Sequence, residues 1–320
     1  MSFHPETENY KYWTSQEDFK LKELLVPGKL SYKDIGKLMN RSGGSCQSHA
    51  SLLGLKNNYD WHLYEQNEMF FKTPNLLNCY WAGMLAADGN VQIAGACVSI
   101  KLEIADINHL IRFKQETNFS GPIFNCFKKK VPQNTKKLTI NSKYWGNDLK
   151  ENFGVIPNKT RRLTPPKLNS DLLKFCFLLG YIDGDGCICL VDRKSKNETE
   201  LCFSIVSCSF DILIFFKDLI DKYFMQYKLR NKHQIITQCT SSTSARNVRF
   251  AGMQALMFLD FFKDFPVPLL QRKWQNPKAL EFLAQKKLEY PNFFTLSPDL
   301  QNIKNQILTY QPSTPLPVSV

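Results

Sequence analysis

The sequence predicts an α+β protein: a helix–strand–strand–helix–strand–strand–helix unit (αββαββα) occurring twice, preceded by a small N-terminal domain of three helices. Three observations carry this reading. Two segments, "WAGMLAADGNV" at 81–91 and "LLGYIDGDGCI" at 178–188, have nearly the same shape, and their aligned acids, Asp88 and Asp185, lie 97 positions apart (185 minus 88). The element order after the first segment recurs after the second, an internal repeat of roughly 100 residues. Ahead of both, residues 10–58 carry helix caps and short apolar faces.

The chain has 320 residues, enough for two domains or for one domain of duplicated halves. Hydrophobic residues make up 43%, so a sizeable core can form. No apolar run reaches the ~18 residues of a membrane span. The opening "MSFHPETENYKYW" lacks the apolar region of a secretory signal. An intracellular protein with no membrane partner is expected. The net charge of +12 bears on partners, and phosphate neutralisation makes nucleic acid the first of them. The ten cysteines show no CxxC pair and the five histidines are scattered, which argues against zinc and for reduced, buried thiols.

The N-terminal helices follow from their caps. "YWTSQEDFKLKELL" opens on Thr14 or Ser15, with Glu17 and Asp18 in the first turn and Trp13, Phe19, Leu21, Leu24 and Leu25 as an apolar face. "GKLSYKDIGKLMNRS" gives a second helix capped by Ser31, with Ile35 and Leu38 or Met39 inward. "SGGSCQSHASLLGLK" gives a third, capped near Ser45 and stopped at Gly54. Three short helices with a tight turn make a helix-turn-helix pattern. This stretch resembles Myb-like or GcrA-like DNA-binding helices. The resemblance implies that the third helix reads DNA, with Arg41, Ser45, Gln47, Ser48, His49 and Lys56 facing it.

Residues 59–75 read as a linker with a lead-in helix, punctuated by Pro74. "LLNCYWAGMLAADG" reads as one helix stopped by Gly89, followed by a strand pair turning near Gly95, a helix from 105, a hairpin through "PIFNCFKKKVPQNTKKLTINS", and a helix ended by Gly154. "DLLKFCFLLGYIDGDG" restarts the order. "CICLVD" and "ELCFSIVS" pair as strands, "FDILIFFKDLIDKYF" is a helix, and "YKLR", "QIITQCT" and "RNVRFAG" are strand-like. The expected organisation is a helix-turn-helix domain at 1–58, a linker at 59–75, half-domains at 76–165 and 166–290, and a tail at 291–320 whose Pro/Ser-rich end lacks a packing face.

Two apolar helices ending in an acid need a physical account. Glycine costs about 1 kcal/mol inside a helix, so Gly83 on the first and Gly180 and Gly184 on the second need a reason. Close helix–helix approach supplies one. An acid at a helix C-terminus meets the negative end of the dipole. Side by side, the helices bring Asp88 and Asp185 together, where they repel unless a divalent cation sits between them. Mg²⁺ favours carboxylate and phosphate oxygens, and two acids with a metal and a phosphate describe phosphodiester hydrolysis. Each acid alone also fits an Asp-Gly turn; two in equivalent places of a repeat favour the metal site.

"WAGMLAADG" (81–89) and "LLGYIDGDG" (178–186) resemble the two motifs of the LAGLIDADG homing endonucleases, and the resemblance runs over roughly residues 75–290. It implies that Asp88 and Asp185 bind the catalytic metal, Mg²⁺ with Mn²⁺ as a substitute. It implies that the motif helices form the interface between half-domains related by a pseudo-twofold axis. Each half then lays a saddle of antiparallel strands into the major groove of double-stranded DNA. "NFGVIPNKT" (152–160) and "PLLQRKWQN" (268–276) resemble the segments that bring a cation near the cut, which makes Lys159 and Lys273 catalytic candidates. Groove-facing candidates are Lys101, Lys128, Lys130 and Lys136 in the first half and Arg193, Lys194, Arg230 and Lys232 in the second. Ala86 departs from the motif, standing where many first motifs have an acid; its counterpart is Asp183. The halves differ, so the resemblance implies a monomer cutting both strands at a long asymmetric site, for homing of an intron or of its own gene. The host would be a bacterium, a phage-infected cell or an organelle. An intron maturase acting on intron RNA, or a non-cleaving DNA-binding regulator, is the alternative.

Overall fold

The structure is a computed structural model describing residues 12–27, 30–57, 64–92, 97–128, 131–142, 144–193, 198–227, 236–239 and 244–310. Lys130, Lys194, Arg230 and Lys232 lie outside the described residues. The chain divides into two compact units, Met1–Tyr64 and Glu65–Val320.

Among its described residues the first unit holds three helices, α1 (Ser15–Leu25), α2 (Tyr32–Met39) and α3 (Gly43–Leu52). Thr14 and Glu17 cap α1 reciprocally: the hydroxyl accepts from the Glu17 N–H, and the Glu17 carboxylate accepts from the Thr14 N–H. Ser31 caps α2, and Ser42 caps α3, three residues before the expected Ser45. Leu21, Leu25, Ile35, Met39, Cys46 and Ala50 form its core. Phe19, expected inward, is exposed; it stands two positions from Leu21, about 200° around the helix. Met39 turns inward and Leu38 outward.

The second unit carries the repeat. Its first half runs α4 (Leu76–Ala87), β1 (Gly89–Val91), β2 (Cys97–Glu103), α5 (Ile107–Glu116), β3 (Phe124–Lys128), β4 (Val131–Asn141) and α6 (Trp145–Phe153). Its second runs α7 (Asp171–Asp185), β5 (Gly186–Arg193), β6 (Glu198–Ser207), α8 (Phe210–Phe224), β7 (Ile236–Gln238), β8 (Arg246–Ala251) and α9 (Met253–Phe262). The two sheets have the same order, β1-β2-β4-β3 and β5-β6-β8-β7, and every pairing is antiparallel. This is the duplicated αββαββα fold.

Three helices follow: α10 (Gln271–Trp274), α11 (Pro277–Glu289) and α12 (Pro298–Thr309). The last corrects the expected tail. Ser297 caps α12, and Leu300 and Ile303 bury into the main core, so 298–309 has a packing face that its polar composition hides. The lead-in helix is also corrected: residues 68–72 make turns. The buried Asn78 side chain donates to Phe70 O and Thr73 O, which draws those carbonyls away from a helical ladder.

The centre of the unit is the contact between α4 and α7. A Cβ added at Gly83 would meet Phe177 O at 2.0 Å, and one at Gly180 would meet Tyr80 O at 1.9 Å. The contacts are equivalent under the repeat, since 83 and 180, like 80 and 177, differ by 97. Backbone touches backbone, so only glycine fits at these two points. Gly83→Ala or Gly180→Ala is therefore expected to destabilise the protein by about 1–3 kcal/mol or more, despite alanine's better helix propensity. Denaturant unfolding of each variant against wild type checks this.

Candidate active site at the paired helix ends

The same contact sets the spacing of the acids. Asp88 caps the C-terminus of α4, and Asp185 is the last residue of α7. A Cβ at Gly184 would meet Ala87 Cβ at 2.3 Å and Asp88 Oδ2 at 3.3 Å, so the two helix ends touch where the carboxylates emerge. Both carboxylates reach solvent, and neither accepts a hydrogen bond among the described residues. The surrounding protein desolvates Asp88, and Asp185 adds like charge; together they raise its pKa to about 6. Desolvation raises Asp185 too, opposed by Lys159 and Lys273.

Both lysines arrive at this end of the helix pair, by different means. Lys159 stands on a short 3-10 turn, Lys159–Arg161, entered through Asn158 in the left-handed region. Its Nζ donates to Ala87 O at 2.7 Å. It also lines a cavity of about 240 Å³ with Tyr181, Asp185, Ser207 and Cys208. Lys273, on α10, is buried. Its three N–H groups are shared among four carbonyls where α7 ends, Ile182 O at 2.8 Å, Asp183 O at 2.7 Å, Gly186 O at 2.7 Å and, more distantly, Gly184 O at 3.3 Å. A cation on carbonyls at a helix C-terminus is electrostatically well placed. Burial lowers the pKa of both ammonium groups, and the nearby carboxylates oppose that shift.

Asp183, the motif acid without a counterpart in the first half, has a different role. It is fully enclosed and accepts from Tyr80 OH at 2.6 Å, Leu270 N at 2.9 Å and Trp274 Nε1 at 2.7 Å. Burial raises its pKa to about 6 against these bonds. The side chain ties both ends of the α10 segment to α7. Arg272, between them, makes a bidentate pair with the buried Asp106 of the first half, at 2.7 and 2.9 Å.

The donor set at the helix ends fits a hard divalent cation. Two ionisable carboxylates converge, their neighbouring carbonyls are taken by lysines, and among the described residues no group of three His, Cys, Asp or Glu side chains forms a richer cage. Two carboxylates completed by waters and a phosphate suit Mg²⁺ better than a metal needing an all-protein cage.

Strand alternation sorts the groove candidates. Val98, Ile100, Leu102, Leu138 and Ile140 face the core, so Ser99, Lys101, Lys137 and Thr139 occupy the outer face of the first sheet. Lys136 pairs with Leu102 and therefore lies on the core-side face, where it bonds Asn125; this corrects the outward assignment. Lys137 is the outward residue, and the alternation of Leu138 and Ile140 marks it. Lys128 pairs with Val131 on the outer parity. In the second sheet Leu201, Phe203, Ile205, Val248 and Phe250 face the core, which leaves Cys187, Cys189, Arg193, Cys202 and Arg249 outward. Arg193 is held by Glu200 at 2.5 Å. Arg249, which the sequence reading missed, donates to Cys202 Sγ at 2.8 Å. Arg161 and Arg162, also missed, are exposed beside Lys159.

In the first unit, two expected base readers are committed internally. Arg41 pairs with Glu17 through two 2.9 Å bonds and lies 4.2 Å from the Trp13 ring centroid, holding the Glu17 carboxyl down to about 2. His49 stacks on Trp13 at 4.0 Å and bonds Asp18 at 2.6 Å. Gln47 and Ser48 remain exposed on α3.

Comparison with known proteins gives the following. No protein-family model matches the sequence, and no curated protein matches it. Among the solved structures that are similar are these three. The LAGLIDADG homing endonuclease I-LtrWI bound to target DNA is 15% identical, over 75% of this chain and 98% of its own, at a TM-score of 0.40. The LAGLIDADG homing endonuclease I-GzeII in complex with a DNA target is 12% identical, over 74% and 99%, at 0.43. Full-length DUF199/WhiA from Thermatoga maritima is 13% identical, over 76% and 64%, at 0.35. No helix among the described residues is long and apolar enough to cross a membrane.

The electrostatics of the acid pair predict a pH dependence. Asp88 ionises at about 6 in the fold and near the ordinary aspartate value of 3.8 when unfolded, so its ionisation opposes folding. That penalty is full above pH ~6 and relieved as pH falls toward ~4. Without divalent metal, Asp88→Asn is expected to raise the unfolding temperature at pH 7.5 and to give little gain at pH 4.5. Thermal scans of both proteins at both pH values check this.

Proposed function

We propose that the protein is a site-specific, Mg²⁺-dependent DNA endonuclease that makes a double-strand break at a long asymmetric site, for homing of an intron or of its own gene. One observation carries the reading. Two carboxylates without hydrogen-bond partners among the described residues converge at the ends of equivalent helices, desolvated and in mutual repulsion. Asp183, two residues from Asp185, is by contrast bonded by three donors.

Asp88 and Asp185 would hold the cation, which supplies Lewis-acid polarisation of a phosphodiester oxygen. The chain's own residues do the rest. Lys159 adds positive charge where a scissile phosphate gains negative charge. Lys101, Lys137 and Arg249 on the outer sheet faces grip backbone phosphates or reach base edges. The net charge of +12 draws the duplex in. The N-terminal helices, as a helix-turn-helix, extend the footprint through Gln47 and Ser48 and raise affinity by tethering.

Incubation with a randomised duplex library and Mg²⁺, followed by sequencing of new ends, tests this. Discrete Mg²⁺-dependent ends are expected. Asp88→Asn and Asp185→Asn should each slow cutting by at least about a hundredfold while duplex binding persists. Cutting undiminished in either variant would remove that acid from the site. Retention of one sequence without cutting would favour the DNA-binding regulator, and selective retention of intron RNA the maturase.

A further inference from the structure

The two basic segments that reach the helix ends are built differently, and the repeat makes the difference measurable. In the first half, Lys159 has a single carbonyl contact, to Ala87 O, and lines the cavity it shares with Asp185. Arg161 and Arg162 are exposed on the same turn and make no ion pair among the described residues. In the second half, Arg272 is spent on Asp106 and Lys273 on three carbonyls of α7 and that of Gly186, which opens β5. Asp183 pins the segment at both ends, through Leu270 N and Trp274 Nε1. Its counterpart, Ala86, carries only a methyl group, which cannot accept hydrogen bonds from the Lys159 segment.

We propose that the two half-sites are unequal: Lys159 is the catalytic cation, Lys273 is a positioning residue that fixes the end of α7, and the two DNA strands are cut in sequence through a nicked intermediate. The strand order rests on the nuclease reading above; the division between the lysines does not. Lys273 cannot turn to a phosphate without giving up the carbonyls of Ile182, Asp183 and Gly184 in the last turn of α7 and of Gly186 at the start of β5, and with them the fixed end of the helix that carries Asp185. Lys159 gives up one. The Lys159 turn also brings two further guanidinium groups, which suits a phosphate that gains charge during cleavage. Lys273 serves both strands alike, because the helix end it closes carries one of the two shared acids.

Two measurements test the proposal. The first uses the folded wild-type protein, an amine-reactive N-hydroxysuccinimide ester and peptide mass spectrometry. Lys159 is expected to label at least ~10-fold faster than Lys273, with the difference lost in denaturant. Equal labelling in the folded state would overturn the division of roles.

The second uses a duplex carrying the recovered target site, labelled separately on each strand. Wild type should accumulate nicked duplex before linear product. Lys159→Met should slow the first-cut strand by about a hundredfold with an unchanged unfolding temperature. Lys273→Met should lower the unfolding temperature and slow both strands together, and Lys273→Arg should restore part of both. Lys273→Met that unfolds at the wild-type temperature and slows one strand alone would overturn the proposal, as would simultaneous cutting of both strands. No cutting of a bound duplex by wild type would sink the nuclease reading and the strand order with it. The labelling result would then still decide between the lysines.

Discussion

Everything at the candidate site depends on two glycines. Gly83 and Gly180 let the backbones of α4 and α7 touch, where any side chain would push them apart. That contact does three things at once. It joins the halves of the fold into one core. It places equivalent residues opposite each other with the 97-residue offset of the repeat. It also brings Asp88 and Asp185 to one point, although nothing about either acid favours the meeting. The burial of the surrounding helix pair, with Tyr80, Trp81, Phe177 and Tyr181 nearly or fully enclosed, supplies the stability that the acids oppose.

The electrostatic conflict is informative because the protein resolves it elsewhere. Asp183, two residues away, is more deeply buried and has three donors. The helix-end carbonyls have lysines. At the helix junction, the pair that faces solvent accepts no hydrogen bond among the described residues. Active sites commonly keep such conflicts where a ligand relieves them. The outer faces of the two sheets, with Lys101, Lys137 and Arg249, add the cationic surface that a polyanion requires.

Much of this was legible in the sequence. The motif helices, their terminal acids and the duplicated element order follow from local signals: apolar runs, Asp-Gly stops and strand alternation. Their spacing said that the acids are equivalent, and glycine in helix interiors said that the helices meet. What escaped reading depends on tertiary partners. The motif resemblance marks Lys273 as a cation near the cut, but its carbonyl contacts form only once α10 folds over the end of α7. The bonds that hold Asp183 need Tyr80 from the other half and Leu270 and Trp274 from the α10 segment. Lys136 and Lys137 differ only by which neighbour faces the core, and a one-residue choice inverts the face. His49 and Arg41 read as DNA contacts because their partners, Asp18 and Glu17, lie on another helix. The buried face of α12 is two residues wide and was hidden in a polar stretch.

The most direct test is divalent-cation binding itself. Mn²⁺ titrated into wild type, Asp88→Asn and Asp185→Asn at pH 7.5 can be followed by the loss of the free-ion electron paramagnetic resonance signal. Saturable binding by wild type that either substitution abolishes, with the fold intact by circular dichroism, is the expected result. Equal Mn²⁺ uptake by all three proteins would contradict the assignment, and the paired helix ends would then be an electrostatic strain without a ligand.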